Sequence, residues 1–172
     1  MKLQGPNISL RAIEPSDIDI LYQWENDVEN WKVSNTQAPF SRFILEQYIT
    51  SAHQDIYCVK QLRLIICDSN NKPVGCIDLF DFDPNHLRCG IGILISEKSD
   101  RRKGYASEAL ELLIDYCFSV FNLHQLYCNI TTDNEASVLL FQKHGFQITG
   151  IKKQWIRDGN KYKDELLLQR IK

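Results

Sequence analysis

The sequence predicts a mixed α/β fold: a mostly antiparallel central sheet of six to seven strands flanked by about four helices. Two observations carry this. Three strand-like runs between residues 62 and 95 are joined by tight turns, which implies an antiparallel meander. An amphipathic helix, 104–121, then lies between two strands, which implies a crossover unit. With 172 residues the chain fits a single domain, 1–172, large enough to bury roughly 68–70% of its unfolded surface.

The elements follow in order. Asn7–Ile13 alternates like a strand, and Ser16 is expected to cap a helix running to about Trp24, with acids in its first turn. Ser41 opens a second helix, predicted to carry Phe43, Ile44, Tyr48 and Ile49 toward the core. Leu62–Cys67 is a strand that turns through Ser69-Asn70-Asn71-Lys72-Pro73 and returns as Val74–Phe82. Asp83-Pro84-Asn85-His86 makes the next turn, and Arg88–Ile95 is another strand. In 104–121, Ala106, Ala109, Leu110, Leu113, Ile114 and Cys117 recur at helical spacing. Gln125–Thr131 is a strand, and Asn134–His144 a short helix stopped by Gly145. Two final strands, Phe146–Trp155 and Tyr162–Ile171, form a hairpin through Arg157-Asp158-Gly159-Asn160.

Composition excludes several classes. Hydrophobic residues make up 44% and charged residues 24% of the chain, an ordinary globular balance. A net charge of −2 argues against nucleic acid as a partner. No apolar run is long enough to span a membrane, and the first residues lack a secretory h-region, so the expected location is cytoplasmic. The six cysteines form no CxxC pair and sit mostly in apolar runs, as buried free thiols do. His86-x-x-Cys89 has ligand-like spacing but no second half, so no metal site is expected. The isolated histidines show no hydrolytic triad.

Charge is unevenly spread. From Glu14 to Glu29 there are six acids and no Lys or Arg, whereas Lys98, Arg101, Arg102 and Lys103 cluster together. The basic run continues as Gly104-Tyr105-Ala106 into a helix. First-turn N–H groups lack intrahelical acceptors, and glycine admits a close approach, so a pyrophosphate is the natural guest. Downstream, Ile77-Asp78-Leu79-Phe80-Asp81-Phe82-Asp83 is unusually acidic for a strand. Strict alternation puts Asp81 and Asp83 on one face and Asp78 on the other, unless a bulge intervenes. A carboxylate here can bind a cation and take its proton, and Asp78 and Asp81 are the candidate catalytic residues. Glu25 is a candidate for an acceptor's far amine, and Asp83 a further carboxylate for the same cation. Trp24 and Trp31 offer cation–π faces.

The ordered set Arg101-Arg102-Lys103-Gly104-Tyr105-Ala106, Asn134-Glu135-Ala136-Ser137 and Phe141-Gln142-Lys143-His144-Gly145-Phe146 resembles the GNAT N-acetyltransferase superfamily. The similarity runs from Leu10-Arg11 to the last strand. It is greatest to the branch of ribosomal-protein N-terminal acetyltransferases and spermidine/spermine (diamine) acetyltransferases. Phe121-Asn122-Leu123-His124-Gln125-Leu126-Tyr127 and the acidic N-terminal half look closest to the polyamine enzymes.

The resemblance implies acetyl-CoA as co-substrate and direct attack by an amine in a ternary complex. Residues 101–106 would hold the CoA pyrophosphate, and Leu94 and Ile95 would bond the pantetheine arm through their backbone, with an oxyanion donor near Leu94. Asn134 would reach the pantetheine, and Ser137, Phe141 and Lys143 would lie near the CoA. The loop from Ile95 to Arg101 has no proline and is about one residue longer than the family pattern. Where many members carry a tyrosine that protonates the departing thiolate, this chain has Phe141, which has no proton to give. Water, Tyr105 or Tyr127 is the expected substitute. The first-choice acceptor is a polyamine or diamine such as spermidine. A protein N-terminal amine and a non-catalytic acyl-CoA-binding module are the alternatives, and a homo-oligomer is possible.

Overall fold

A computed structural model describes residues 3–34, 36–52 and 54–172. Its seven strands are β1 (Ile8–Ala12), β2 (Leu62–Asp68), β3 (Pro73–Asp83), β4 (Arg88–Ile95), β5 (Gln125–Thr131), β6 (Gln147–Asp158) and β7 (Lys161–Ile171). They form one sheet in the order β1-β2-β3-β4-β5-β7-β6. Every neighbouring pair is antiparallel except β4 and β5. That parallel pair spans only Arg88↔Gln125, Cys89↔Leu126 and Gly90↔Tyr127. Beyond Gly90 the two strands part, and the wedge between them is where the site lies.

The six α-helices are α1 (Ile18–Asn26), α2 (Val28–Ser34), α3 (Arg42–Ser51), α4 (Ile56–Val59), α5 (Tyr105–Ser119) and α6 (Glu135–Lys143). The short α2 and α4 were not expected, being too brief to show a period. One face of the sheet receives α5 and α6. Ala109, Leu110, Leu113, Ile114 and Cys117 of α5 are fully buried against β-strand residues such as Ile66, Leu79, Leu126 and Leu168. Burying each large side chain stabilises by about 1.5–3 kcal/mol. The opposite face carries α1 and α3, with Leu21, Trp24, Leu45 and Ile49 packed on Ile65, Cys67 and Cys76. Helix α3 departs in part from the expected face: Ile49 is buried as expected, with Leu45 beside it, while Phe43 and Ile44 are exposed.

Local chemistry fixes α1 differently from the sequence expectation. A turn of 3₁₀ helix, Pro15–Asp17, precedes it, and Asp17 rather than Ser16 bonds the chain there. The Glu14 N–H donates to Asp17 Oδ2 at 2.8 Å. Arg11 of β1 grips the same carboxylate with two N–H···O bonds of 2.7 Å. Burial works against the Asp17 charge, but these donors win and hold the carboxyl below its ordinary range. Helix α3 does start as expected, the Ser41 hydroxyl accepting from the Ile44 N–H. Five of the cysteines are buried free thiols, and Cys58 is exposed on α4. Among the described residues no helix is long and apolar enough to cross a membrane.

Candidate active site

A cavity of about 650 Å³ runs through the wedge between β4 and β5, from α6 on one side of the sheet to α1 on the other. Its α6 end is made largely of backbone. Ser96 N donates to Val74 O, which makes 74/96 a hydrogen-bonded position between β3 and the end of β4. The register is regular from Gly75↔Ile95 to Phe80↔Gly90, and by alternation 76/94 and 78/92 are bonded pairs as well. The backbone of Leu94 therefore pairs with Cys76 instead of facing the wedge. It is Ile93 and Ile95 whose N–H groups turn toward the side where β5 has moved away. Leu94 lines the cavity with its side chain instead.

The turn from β4 into α5 follows the end of that strand, and none of its residues lines the cavity. Gly104 is the N-cap of α5 at φ +86°, a left-handed conformation that costs other residues about 1–2 kcal/mol. A Cβ built there would meet nothing within 4 Å, so the space in front of the helix start is open. The N–H groups of Tyr105, Ala106 and Ser107 have no intrahelical acceptor and face this opening. Lys103 donates to Asp100 Oδ1 at 2.7 Å, and that bond holds the Asp100 carboxyl below its usual range. Arg101 Nε donates to Ile95 O at 3.2 Å, closing the loop onto the end of β4. Arg102 is exposed.

Helix α6 supplies the adjoining wall. Asn134 caps it, its Oδ1 accepting from Ser137 N at 3.3 Å. Ser137 and Phe141, one turn apart, line the cavity with it. Phe141 is buried edge-on against Phe146, centroids 5.0 Å apart. Lys143 is exposed at the far end of the helix.

At the α1 end the lining is ionic. Arg63 of β2 stands opposite Asp78 of β3. Its Nε and Nη2 donate to the two Asp78 oxygens at 2.7 and 2.9 Å, and its Nη1 donates to Glu25 of α1. Burial disfavours the guanidinium charge, yet Asp78 above all and then Cys76 and Glu25 keep the group more basic than usual. The Tyr48 ring lies under it, 5.7 Å from Cζ to centroid. Trp24, Asn30 and Phe40 complete this end. Arg63 is the site residue that sequence reasoning passed over; the pairing of Leu62–Cys67 with Val74–Phe82 was the signal that could have found it.

The other expected acceptor residues lie elsewhere. A bulge between Phe80 and Asp83 interrupts β3, with Asp81 at φ +49°. It lets Phe82 join Ile77 and Leu79 in the core and turns Asp81 outward, where it accepts from the Tyr127 hydroxyl at 3.1 Å. Asp83 is held by His86 and Arg88 and organises the turn after β3. Trp31 donates from Nε1 to the Glu25 carbonyl at 2.7 Å, fixing the end of α1 rather than entering the cavity. Tyr127, a suggested proton donor, has its phenol pushed up to about 12 by burial and by Asp81, and it does not line the cavity. Tyr105 does not line it either.

The acidic N-terminal segment is mostly spent. Asp17 is taken by Arg11, Asp19 by Arg42 and Glu29 by Lys98, and Asp27 accepts from the Glu29 N–H. Of that run, only Glu25 lines the cavity.

Comparison with known proteins places this geometry. The acetyltransferase (GNAT) domain family matches residues 7–147. Spermidine N(1)-acetyltransferase of Escherichia coli (strain K12) is 27% identical over 145 residues, covering 84% of this chain and 75% of that protein. The crystal structure of spermidine N-acetyltransferase from Vibrio cholerae with CoA and spermine superposes with a TM-score of 0.88 at 21% identity, over 97% of this chain and 96% of that one. A dodecameric structure of the Vibrio protein in an intermediate state matches with a TM-score of 0.80 at 22% identity, over 97% and 95% of the two chains.

Proposed function

Because this chain belongs to the GNAT acetyltransferase family, an acetyl-CoA-dependent acyltransferase family, we propose that it acetylates a small polyamine or diamine. The observation that carries the reading is the charge at the α1 end of the cavity. Glu25 and Asp78 face it with only Arg63 between them, which favours a cationic acceptor. The spermidine specificity named for the Escherichia coli relative points the same way. Residues 1–172 are taken as a single acetyltransferase domain, because all seven strands share one sheet. A cytoplasmic location and a homo-oligomer, as in the Vibrio dodecamer, belong to the same reading.

Acetyl-CoA, when bound, supplies an acetyl group already activated as a thioester. The residues at the α6 end fit it. The open approach at Gly104 and the first-turn N–H groups of α5 suit a pyrophosphate. The wedge-facing backbone of Ile93 and Ile95 suits the amides of an extended arm, with Asn134 and Ser137 alongside, and an N–H aimed into the wedge is placed to receive charge developing on a carbonyl oxygen.

Asp78, rather than Asp81, faces the acceptor. Held by the Arg63 fork, it orients an ammonium better than it deprotonates one. The proton of an amine with a pKa near 10 therefore leaves through water. Phe141 gives no proton to the departing thiolate. A thiol pKa near 8.5 makes that thiolate a tolerable leaving group, and water reprotonates it.

The test is mass spectrometry of products after incubation with acetyl-CoA and a mixture of putrescine, spermidine, spermine, lysine and short peptides. Mass detection avoids the reactivity of six cysteines toward thiol reagents. An acetylated polyamine or diamine is the expected result. Acetylation of peptides alone replaces the acceptor class by a protein N-terminus. Binding of acetyl-CoA with no product at all leaves an acyl-CoA-binding module.

A further inference from the structure

Resting on the polyamine or diamine reading, the Glu25–Arg63–Asp78 cluster carries a sharper statement about which amine fits. Among the described residues, the charged side chains lining the cavity are Glu25, Arg63, Asp78 and Glu165. Glu165 is already paired with Lys152. What remains is two carboxylates and one guanidinium, a net charge of −1. The guanidinium is not peripheral: it occupies both oxygens of Asp78 and one of Glu25, and its side chain is 20% exposed. Each carboxylate oxygen has a second lone-pair direction, so one further donor can still be accepted there. A second ammonium would bring its charge against Arg63 with no free carboxylate to meet it.

We infer that Arg63 is a specificity-determining residue that limits the acceptor's charge: its guanidinium takes the seat a second bound ammonium would need, matching the cavity to a short diamine. Such a diamine reacts through one neutral amine and leaves its other, protonated amine against Glu25 and Asp78. A triamine or tetraamine brings one or two cations more than the cluster can balance. The other N-terminal acids add nothing here, because they are paired elsewhere or lie outside the cavity.

The experiment compares kcat/KM for n-butylamine, 1,4-diaminobutane, spermidine and spermine, a series in which the unreacted charge rises from none to three. The wild-type protein is expected to peak at 1,4-diaminobutane. In Arg63→Met the two carboxylates lose their internal partner. The spermidine to diaminobutane ratio should then rise about tenfold or more, the equivalent of about 1.4 kcal/mol of differential binding. Arg63→Lys keeps the charge and should keep the peak at the diamine. Glu25→Gln makes the cluster neutral and should remove most of the advantage of diaminobutane over butylamine, which tests the idea even if Arg63→Met folds poorly. Acetyl-CoA affinity, measured by calorimetry, should stay within about twofold in each variant that folds.

A wild-type preference for spermidine or spermine overturns the inference. So does an Arg63→Met protein that lowers all four acceptors by one common factor, or a Glu25→Gln protein with unchanged ratios. If the wild type acetylates none of the four while still binding acetyl-CoA, the acceptor reading itself fails and this inference falls with it.

Discussion

On the α5 and α6 side the groups proposed to meet acetyl-CoA are mostly main chain, whereas at the α1 end of the cavity those proposed to meet the acceptor are three charged side chains. The first uses the Gly104 turn, the helix N–H groups and the wedge-facing edge of β4, all between Ile93 and Ser107. The second uses Glu25, Arg63 and Asp78, drawn from α1, β2 and β3. Main-chain groups are offered by almost any sequence that adopts the conformation, so that end tolerates substitution except where φ or space is special. A side-chain cluster is altered by single replacements. One domain can thus keep its cofactor chemistry while its acceptor changes.

Four measurements break or sharpen this contrast. The largest effect is expected from Gly104→Val, which forces a branched side chain into φ +86° and fills the open approach to the helix. Calorimetry should show acetyl-CoA binding weakened about 100-fold, some 2.7 kcal/mol, and unfolding should show a further loss of about 1–2 kcal/mol of stability. Next comes Asp78→Asn, which leaves the Arg63 fork half-answered. Removing one partner of a buried pair costs about 2–5 kcal/mol, and this pair is partly solvated, so the lower end applies: about 30-fold in kcat/KM for the amine. Acetyl-CoA affinity should not follow; if the two constants drop together, the ends are not separable.

A smaller gain is expected from Phe141→Tyr. General acids typically give about 10²–10⁴-fold, but the thiolate already leaves tolerably, so steady-state kcat should rise by about tenfold or less. An unchanged kcat would place the rate-limiting step outside thiolate departure.

The smallest effect is in pH dependence. His144 accepts or donates a 2.8 Å bond with Ser107 in the first turn of α5. Burial, opposed by Glu111 and aided by Lys143 and Arg170, holds its pKa below the ordinary value. The unfolded chain therefore takes the proton first as the pH falls below about 6.5. The stability contributed by neutral His144 is present above that point and is lost on the way down to its folded pKa. Urea midpoints between pH 7 and 5.5 should decline slightly in the wild type and less in His144→Gln. A separate loss follows near pH 4 and below, as Asp17 and Asp100, both held low in the fold, are protonated first in the unfolded chain.

The same contrast explains what could be read from residue order. The seven strands, the crossover helix and the Gly104 turn come from local patterns, in which the residues that matter are neighbours. The cluster at the other end depends on register. Asp78 was visible as an odd acid in a strand, but Arg63 meets it only because residue 63 falls opposite 78, a relation set by the hairpin's turn and by a shift near Cys67. The bulge that turned Asp81 outward leaves no mark in an alternating pattern; it shows only in where Phe82 is buried. In α3, Phe43, Ile44 and Leu45 are all apolar beside the buried Ile49, and only packing on Ile65 and Cys67 selects Leu45.

The three-residue pairing of β4 with β5 has one more consequence, seen from the side of hydrogen exchange. Along most of the sheet each amide is locked in a ladder on one side or the other. Ile93 and Ile95 belong to a gap in that ladder, so their N–H groups are offered to solvent until something extended lies down beside them. A ligand arm that does so acts as a borrowed strand, restoring continuity between the two halves of the sheet. Exchange at these amides should slow on cofactor binding far more than at Leu94 or Gly92.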